Sequence, residues 1–246
     1  MSWLSQATQA AGQAAGDLVS AVSDVEHAVV GNAGDAWKAI KKLYDGALEA
    51  VMDATGGVRT LRSHEKNLAK NVYKNSLPPL NNILIVSLSG IDGRAFTLPA
   101  SLLATLADVI LPPNAFVLLA LSSLAAKGIE QYLIFLGKEG FHNALGAVKY
   151  STTPGDVFIH ELGHVWQGYN SAFTWWYVFN SIYYQIECGS GAYEASPGGQ
   201  WAQYGAEQQA MLIQDWYTGG EQASGQLYSY MNCNVWPGKP FATTTL

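Results

Sequence analysis

Two histidines four residues apart, His160 and His164 in the run VFIHELGHVWQ, constrain this chain more than any other feature. On an α-helix, residues at i and i+4 lie on one face, so a helix here points both imidazoles the same way. Two imidazoles at that spacing can hold one metal ion. The carboxylate of Glu161, next to the first of them, can activate a water on that ion. The rest of the chain must then supply a helix around the pair, a third ligand and the wall of a cleft.

The immediate surroundings fit a helix. Thr153-Pro154-Gly155-Asp156 reads as its start, with Thr153 as N-cap, Pro154 at the first helical position and Asp156 at the third. Val157, Ile159, Leu162, Val165 and Trp166 give apolar cover, and Gly168 and Asn170 serve as terminators. Gly163 keeps the surface between the histidines small, at some loss of helix propensity.

A catalytic zinc takes three protein ligands and keeps a further position for water. The three-histidine spacing H-x-x-G-x-x-H needs a histidine at position 170, which is Asn170, and no histidine follows His164. The third ligand is therefore sought among Glu187, Glu194, Glu207, Glu221, Asp215 and Cys188. Glu207 is favoured: it sits in 206–217 (AEQQAMLIQDWY), an amphipathic helix with Ala210, Ile213 and Trp216 at helical spacing. Glu187 and Glu194 lie in or beside the Gly-rich 187–200 stretch, and a loop of that kind holds a ligand poorly. Asp215, two turns beyond Glu207, either orients a ligand histidine or faces solvent. Candidate donors to a developing oxyanion are Tyr204, Tyr217, Tyr228 and His142. His27 and His64 sit among polar residues and read as solvated.

Composition sets the frame. Charged residues make up 13% of the 246 and apolar residues 49%. That charged share is about half the usual one, so the chain either buries much of itself or rests against a partner or lipid. A net charge of -6 with no basic stripe argues against nucleic acid, because neutralising phosphates takes clustered Lys and Arg. Residues 1–58, rich in Ala, Gly, Ser and Gln, read as a helical N-terminal extension, and their start lacks the layout of a Sec signal peptide. The stretch 61–75 reads as a surface helix capped by Ser63, with Leu68, Val72 and Tyr73 on its buried side. Strands are expected at 82–89 and 94–98 around a turn at 90–93, and at 132–136 before a turn at 137–140. The 99–128 insert is strongly apolar. Asp108 and Pro112-Pro113 break it into runs shorter than the ~20 residues that span a bilayer, which makes membrane insertion through 102–126 the lesser option. The aromatic-rich 172–186 reads as a core helix or a cleft wall. One more short helix is expected after 221, then irregular chain from 232. Cys188 and Cys233 lack C-x-x-C spacing; they pair in an oxidising compartment or stay as buried thiols. The fold class is thus α+β, mainly helical with a small β-sheet, in two parts: 1–58 and 59–246.

With HELGHVWQ followed by an E-Q-Q-A helix, the chain resembles the zincin superfamily on its gluzincin side. The stretches LRSHEKNLAKNVYKNSLP, GRAFTLP, YLIFLGKEG, VFIHELGHVWQ and AEQQAMLIQDWY lie within about residues 60–218. Together they resemble a bacterial zincin-like domain of proteins associated with Rhs and Vgr elements of contractile secretion systems. That resemblance implies a zincin-like metallopeptidase fold, Zn2+ held by His160, His164 and Glu207, Glu161 as general base, and a protein or peptide substrate. It also implies synthesis in a bacterial cytoplasm, export by a specialised secretion system as an effector or toxin, and a component of that apparatus as partner. Two other readings compete with it: a metal-bound but non-catalytic cargo module, and a membrane-active toxin using 102–126.

Overall fold

The structure, a computed structural model, describes residues 57–87, 94–102, 130–146 and 148–241. The expected N-terminal helical extension, save Gly57 and Val58 where β1 begins, the turn at 90–93 and nearly all of the apolar 99–128 insert lie outside the described residues. In chain order the elements are β1 (Val58–Thr60), α1 (Ser63–Tyr73), β2 (Ile83–Val86), β3 (Phe96–Pro99), β4 (Tyr132–Phe135), α2 (Gly137–His142), α3 (Asp156–Tyr169), α4 (Trp176–Cys188), α5 (Ala206–Thr218) and α6 (Gly225–Tyr230). The class is α+β and mainly helical, with one small sheet.

The sheet is mixed, in the order β1-β2-β4-β3. β2 and β4 run parallel at its centre, and β1 and β3 flank them antiparallel. The central strands read ILIV and YLIF and are apolar at every position, as strands covered on both faces must be. Side chains alternate between faces. Ile83, Ile85, Tyr132 and Ile134 join the larger core with Val72, Ile159, Leu162, Trp166 and Ile213. Val86, Leu133, Phe135 and Leu98 join a smaller one with Tyr177 and Val178 of α4. β3 is a sheet edge in register with β4, Thr97 opposite Ile134, and this places Thr97 beside α3.

Helix α3 is the central element of the larger core, and only Tyr169 and Val157 on it are not buried. α5 lies against it: Gly163 faces Ala210, Gln167 reaches the Ala206 carbonyl, and the Tyr217 hydroxyl reaches the Pro154 carbonyl. The two helices therefore run antiparallel. The role of Gly163 is interhelical. A Cβ there would meet the Cα and Cβ of Ala210 at 3.2 Å each, so any larger side chain would push α5 away.

Four expectations are corrected. The signature helix begins at Asp156, with Gly155 as its N-cap at φ 82°, and not at Thr153-Pro154. The cause is the Asp156 carboxylate, which accepts the amides of Thr152, Thr153 and Val157 and the hydroxyls of Ser151 and Thr152. It ties 151–156 into a tight loop ahead of the helix. Ser63 does not cap α1; Arg62 holds the cap position, and its amide donates to the Glu65 carboxylate. The 137–140 segment is a short helix rather than a turn. Gly140 lets that helix fold back on β4, since a Cβ there would sit 2.4 Å from the Leu136 Cβ. The irregular chain begins after Val235 rather than at Asn232, because α6 runs on into a π-helical turn, Met231–Val235.

Cys188 and Cys233 are both free and both exposed, not buried. Among the described residues no helix is long and apolar enough to cross a membrane.

Candidate metal centre

His160 and His164 lie one turn apart on α3, both buried, their rings edge to face with centroids 5.0 Å apart. Glu207, in the first turn of α5, is buried between them. Its Oε2 lies 3.1 Å from His160 Nε2 and 3.3 Å from His164 Nε2. These three residues form a group that can hold a metal ion, all donor atoms lying within 4.8 Å of one another.

The donors suit such an ion in spacing and in chemistry. Bonds of about 2.0–2.1 Å at tetrahedral angles put neighbouring ligand atoms about 3.3 Å apart, close to the separations here. The tautomer of His164 is set from behind. Gln167 Nε2 donates to the Ala206 carbonyl at 2.8 Å, so its Oε1 is left to accept, and that oxygen lies 2.8 Å from His164 Nδ1. Nδ1 therefore carries the proton and Nε2 turns its lone pair to the shared point. Tyr177 stacks on the His164 ring at 5.5 Å. Glu207 Oε1 accepts from Gln185 Nε2 at 3.1 Å, which aims Oε2 at the imidazoles. His160 Nδ1 is buried and has no hydrogen-bond partner among the described residues.

Electrostatics agree. Burial raises the Glu207 carboxyl pKa, but the His164 charge and the hydrogen bonds from both imidazoles outweigh this and hold it well below the usual range. Burial lowers His164, and the charge and hydrogen bond of Glu207 reverse this and push it up to about 9. At neutral pH an incoming cation must therefore displace a proton from His164.

Glu161, also buried, lies next to the pair on α3. Thr97 Oγ1 donates to its Oε2 at 2.7 Å and approaches its carbonyl oxygen at 3.2 Å. Desolvation raises the Glu161 pKa, against the pull of both histidines and of the Thr97 hydrogen bond. Of its two carboxylate oxygens, Oε1 is the one left for chemistry.

The other residues singled out from the sequence are elsewhere. Glu187, Glu194, Glu221 and Cys188 are exposed and outside the cluster. Asp215 is half-buried and feels the His160 charge, but makes no hydrogen bond to it. Among the described residues no hydrogen bond or ring contact joins any of the four oxyanion candidates to the cluster. Tyr204 donates to the Ser196 carbonyl, Tyr217 to the Pro154 carbonyl, and Tyr228 packs edge-on against Trp236. His142 ends α2, and its carbonyl accepts from the Arg62 guanidinium. Two tyrosines touch the cluster: Tyr177, whose hydroxyl donates to the Thr97 carbonyl at 3.0 Å, and Tyr193, at the end of a 3-10 turn, with its ring 6.3 Å from that of His160 and tilted by 34°. Burial, then the charge of Glu207, raises the Tyr193 pKa, so it stays protonated and able to donate.

Gln167 gives a direct test of this arrangement. Gln167→Leu leaves the candidate ligands in place but frees the His164 ring, and is expected to weaken the binding of a divalent metal ion by roughly 10–100-fold with the secondary structure unchanged. Chelator competition measures this. Equal affinity in the variant would mean that packing alone orients His164.

Comparison with protein-family models, with curated proteins and with solved structures finds no match for this chain.

Proposed function

We propose that this chain is a zinc-dependent peptide-bond hydrolase. The observation that carries the reading is the Glu161 carboxylate, held by Thr97 beside two imidazoles and a carboxylate that converge on one point. Two histidine nitrogens with one carboxylate oxygen suit zinc among the common divalent ions, and match the donor set of catalytic rather than structural sites. Zinc there supplies a Lewis acid and a water of lowered pKa.

The chain's own residues do the rest. Glu161 Oε1 takes the proton of the attacking water, Oε2 being occupied by Thr97, and returns it to the leaving amine nitrogen. The Tyr193 hydroxyl, neutral across the working range, donates to the oxygen that gains charge as the scissile carbonyl is attacked. Tyr193 takes this role in preference to the candidates Tyr204, Tyr217, Tyr228 and His142. Gln167 and Gln185 hold the His164 ring and the Glu207 carboxylate in place without touching substrate. A role as an exported effector belongs to the same proposal and rests on the sequence resemblance alone.

Metal analysis and a peptide-library digest test the reading together. About one zinc per chain is expected, as for a three-ligand site, along with cleavage of unstructured peptides. Both should be lost in His160→Ala. A native protein that holds no zinc at these histidines would remove the proposal, and a zinc-loaded protein that cuts no peptide would leave the cargo-module reading in its place.

A further inference from the structure

We infer that Arg94, stacked on Tyr193 at the rim of the His160/His164/Glu207 cluster, binds a carboxylate of the peptide substrate. The inference rests on the hydrolase reading and names the substrate chemistry that such a site selects.

Arg94 stands two residues before β3, the strand whose Thr97 holds Glu161. Its guanidinium carbon lies 5.1 Å from the ring centroid of Tyr150 and 5.5 Å from that of Tyr193, so it sits over both rings. Tyr193 lies in turn against His160. One aromatic ring therefore separates the guanidinium from a ligand of the cluster, a distance that a single peptide side chain or chain end bridges.

Charge supplies the second argument. Among the described residues no carboxylate pairs with Arg94, whereas Arg59 takes both oxygens of Glu65. Arginine stays charged at any working pH and has five N–H donors. Arg94 is exposed, which leaves donors for a ligand arriving from solvent. Glu161 and Glu207 balance a divalent ion, so Arg94, with Lys149 beside it 5.0 Å from the Tyr150 ring centroid, leaves a local positive surplus on a chain whose net charge is -6. Two aromatic faces fix the plane of the guanidinium, which readies it for bidentate capture of a carboxylate. That carboxylate is either the α-carboxylate of a chain end or an Asp or Glu side chain near the scissile bond.

Three acetylated pentapeptides separate these sources: a Glu-containing amide, its Gln counterpart, and the Gln peptide as a free acid. Calorimetric titration into zinc-loaded Glu161→Gln protein reads binding without cleavage, and titration into metal-free wild type reads it without zinc. The Glu amide or the free acid is expected to bind roughly tenfold tighter than the neutral peptide in both states. Arg94→Gln should erase the difference and leave the neutral peptide's affinity unchanged, while Arg94→Lys should keep part of it. Lys also serves as the variant of record should Arg94→Gln lose the fold, read by circular dichroism and zinc content. Equal binding of charged and neutral peptides, a preference that survives Arg94→Gln, or one that appears only with zinc present would overturn the assignment. A charge preference without any cleavage by wild type sinks the hydrolase reading and not this one. Cleavage without an Arg94-dependent preference does the reverse.

Discussion

Glu161→Gln is expected to lower peptide hydrolysis by about 10²–10⁴-fold while leaving zinc bound, the range that a positioned general base contributes. The substitution is a narrow one. Gln has the shape of Glu, and its amide oxygen can still accept the Thr97 hydroxyl that now meets Oε2 at 2.7 Å. What it cannot do is take a proton. Loss of activity through unfolding is not expected, because the native carboxylate is a buried acid whose pKa desolvation has raised. A neutral amide in its place removes a buried charge and should leave the melting temperature equal or higher. His164→Ala is the contrasting variant: it removes a ligand, so zinc and hydrolysis should disappear together. Zinc content and kcat/KM measured on the same preparations separate the two outcomes. Glu161→Gln protein turning over at the wild-type rate would mean that another group carries the proton.

The parts of this site that were legible in the sequence are those set by local geometry. His160, Glu161 and His164 depend only on helical spacing, and any helix through them makes the same arrangement. Glu207 was legible because it opens a helix, and a helix holds a ligand better than the glycine-rich chain around Glu194 does. Gln167 could have been found as well, since it lies one turn past His164 on the same face, where i,i+3 pairs meet. Thr97 and Tyr193 could not. Thr97 reaches Glu161 across 64 residues because β3 sits at the sheet edge beside α3. Tyr193 reaches His160 because the chain between α4 and α5 turns back over the cluster. With thirteen tyrosines in the chain, which of them lies against His160 is decided by that path and not by any local pattern. The helix starts failed for a different reason. At Asp156 and Glu65 a carboxylate inside the first turn organises the cap, so the cap falls at Gly155, two residues past Thr153, and at Arg62, one before Ser63.

Glu65 carries the largest expected effect on stability, in a helix that reads from its sequence as a surface one. It is 0% exposed. Arg59 of β1 meets both of its oxygens at 2.7 Å and sends its Nε to the Phe141 carbonyl of α2 at 2.6 Å, while the Arg62 amide closes on Oε2 at 2.7 Å. One carboxylate thus joins a sheet edge, the start of α1 and the end of α2. Glu65→Ala leaves the Arg59 guanidinium, itself largely buried, without its counter-charge. Breaking one side of a buried pair costs about 3–5 kcal/mol, or roughly 10 °C in melting temperature for a domain of this size. The dependence on pH has a definite sign. Burial raises the Glu65 pKa, but the hydrogen bonds from Arg59 and Arg62 and the Arg59 charge outweigh it and set it below the ordinary 4.5. A carboxyl depressed in the folded state stabilises the protein above its unfolded pKa, and that stabilisation is lost as pH falls through the folded value. The gap in melting temperature between wild type and Glu65→Ala should therefore be full at neutral pH and narrow on acidification. The double variant Arg59→Met/Glu65→Leu, which removes both charges and keeps the volume, should recover most of the loss. A Glu65→Ala protein that melts with wild type at neutral pH would mean that α1 and β1 are held by their apolar contacts alone.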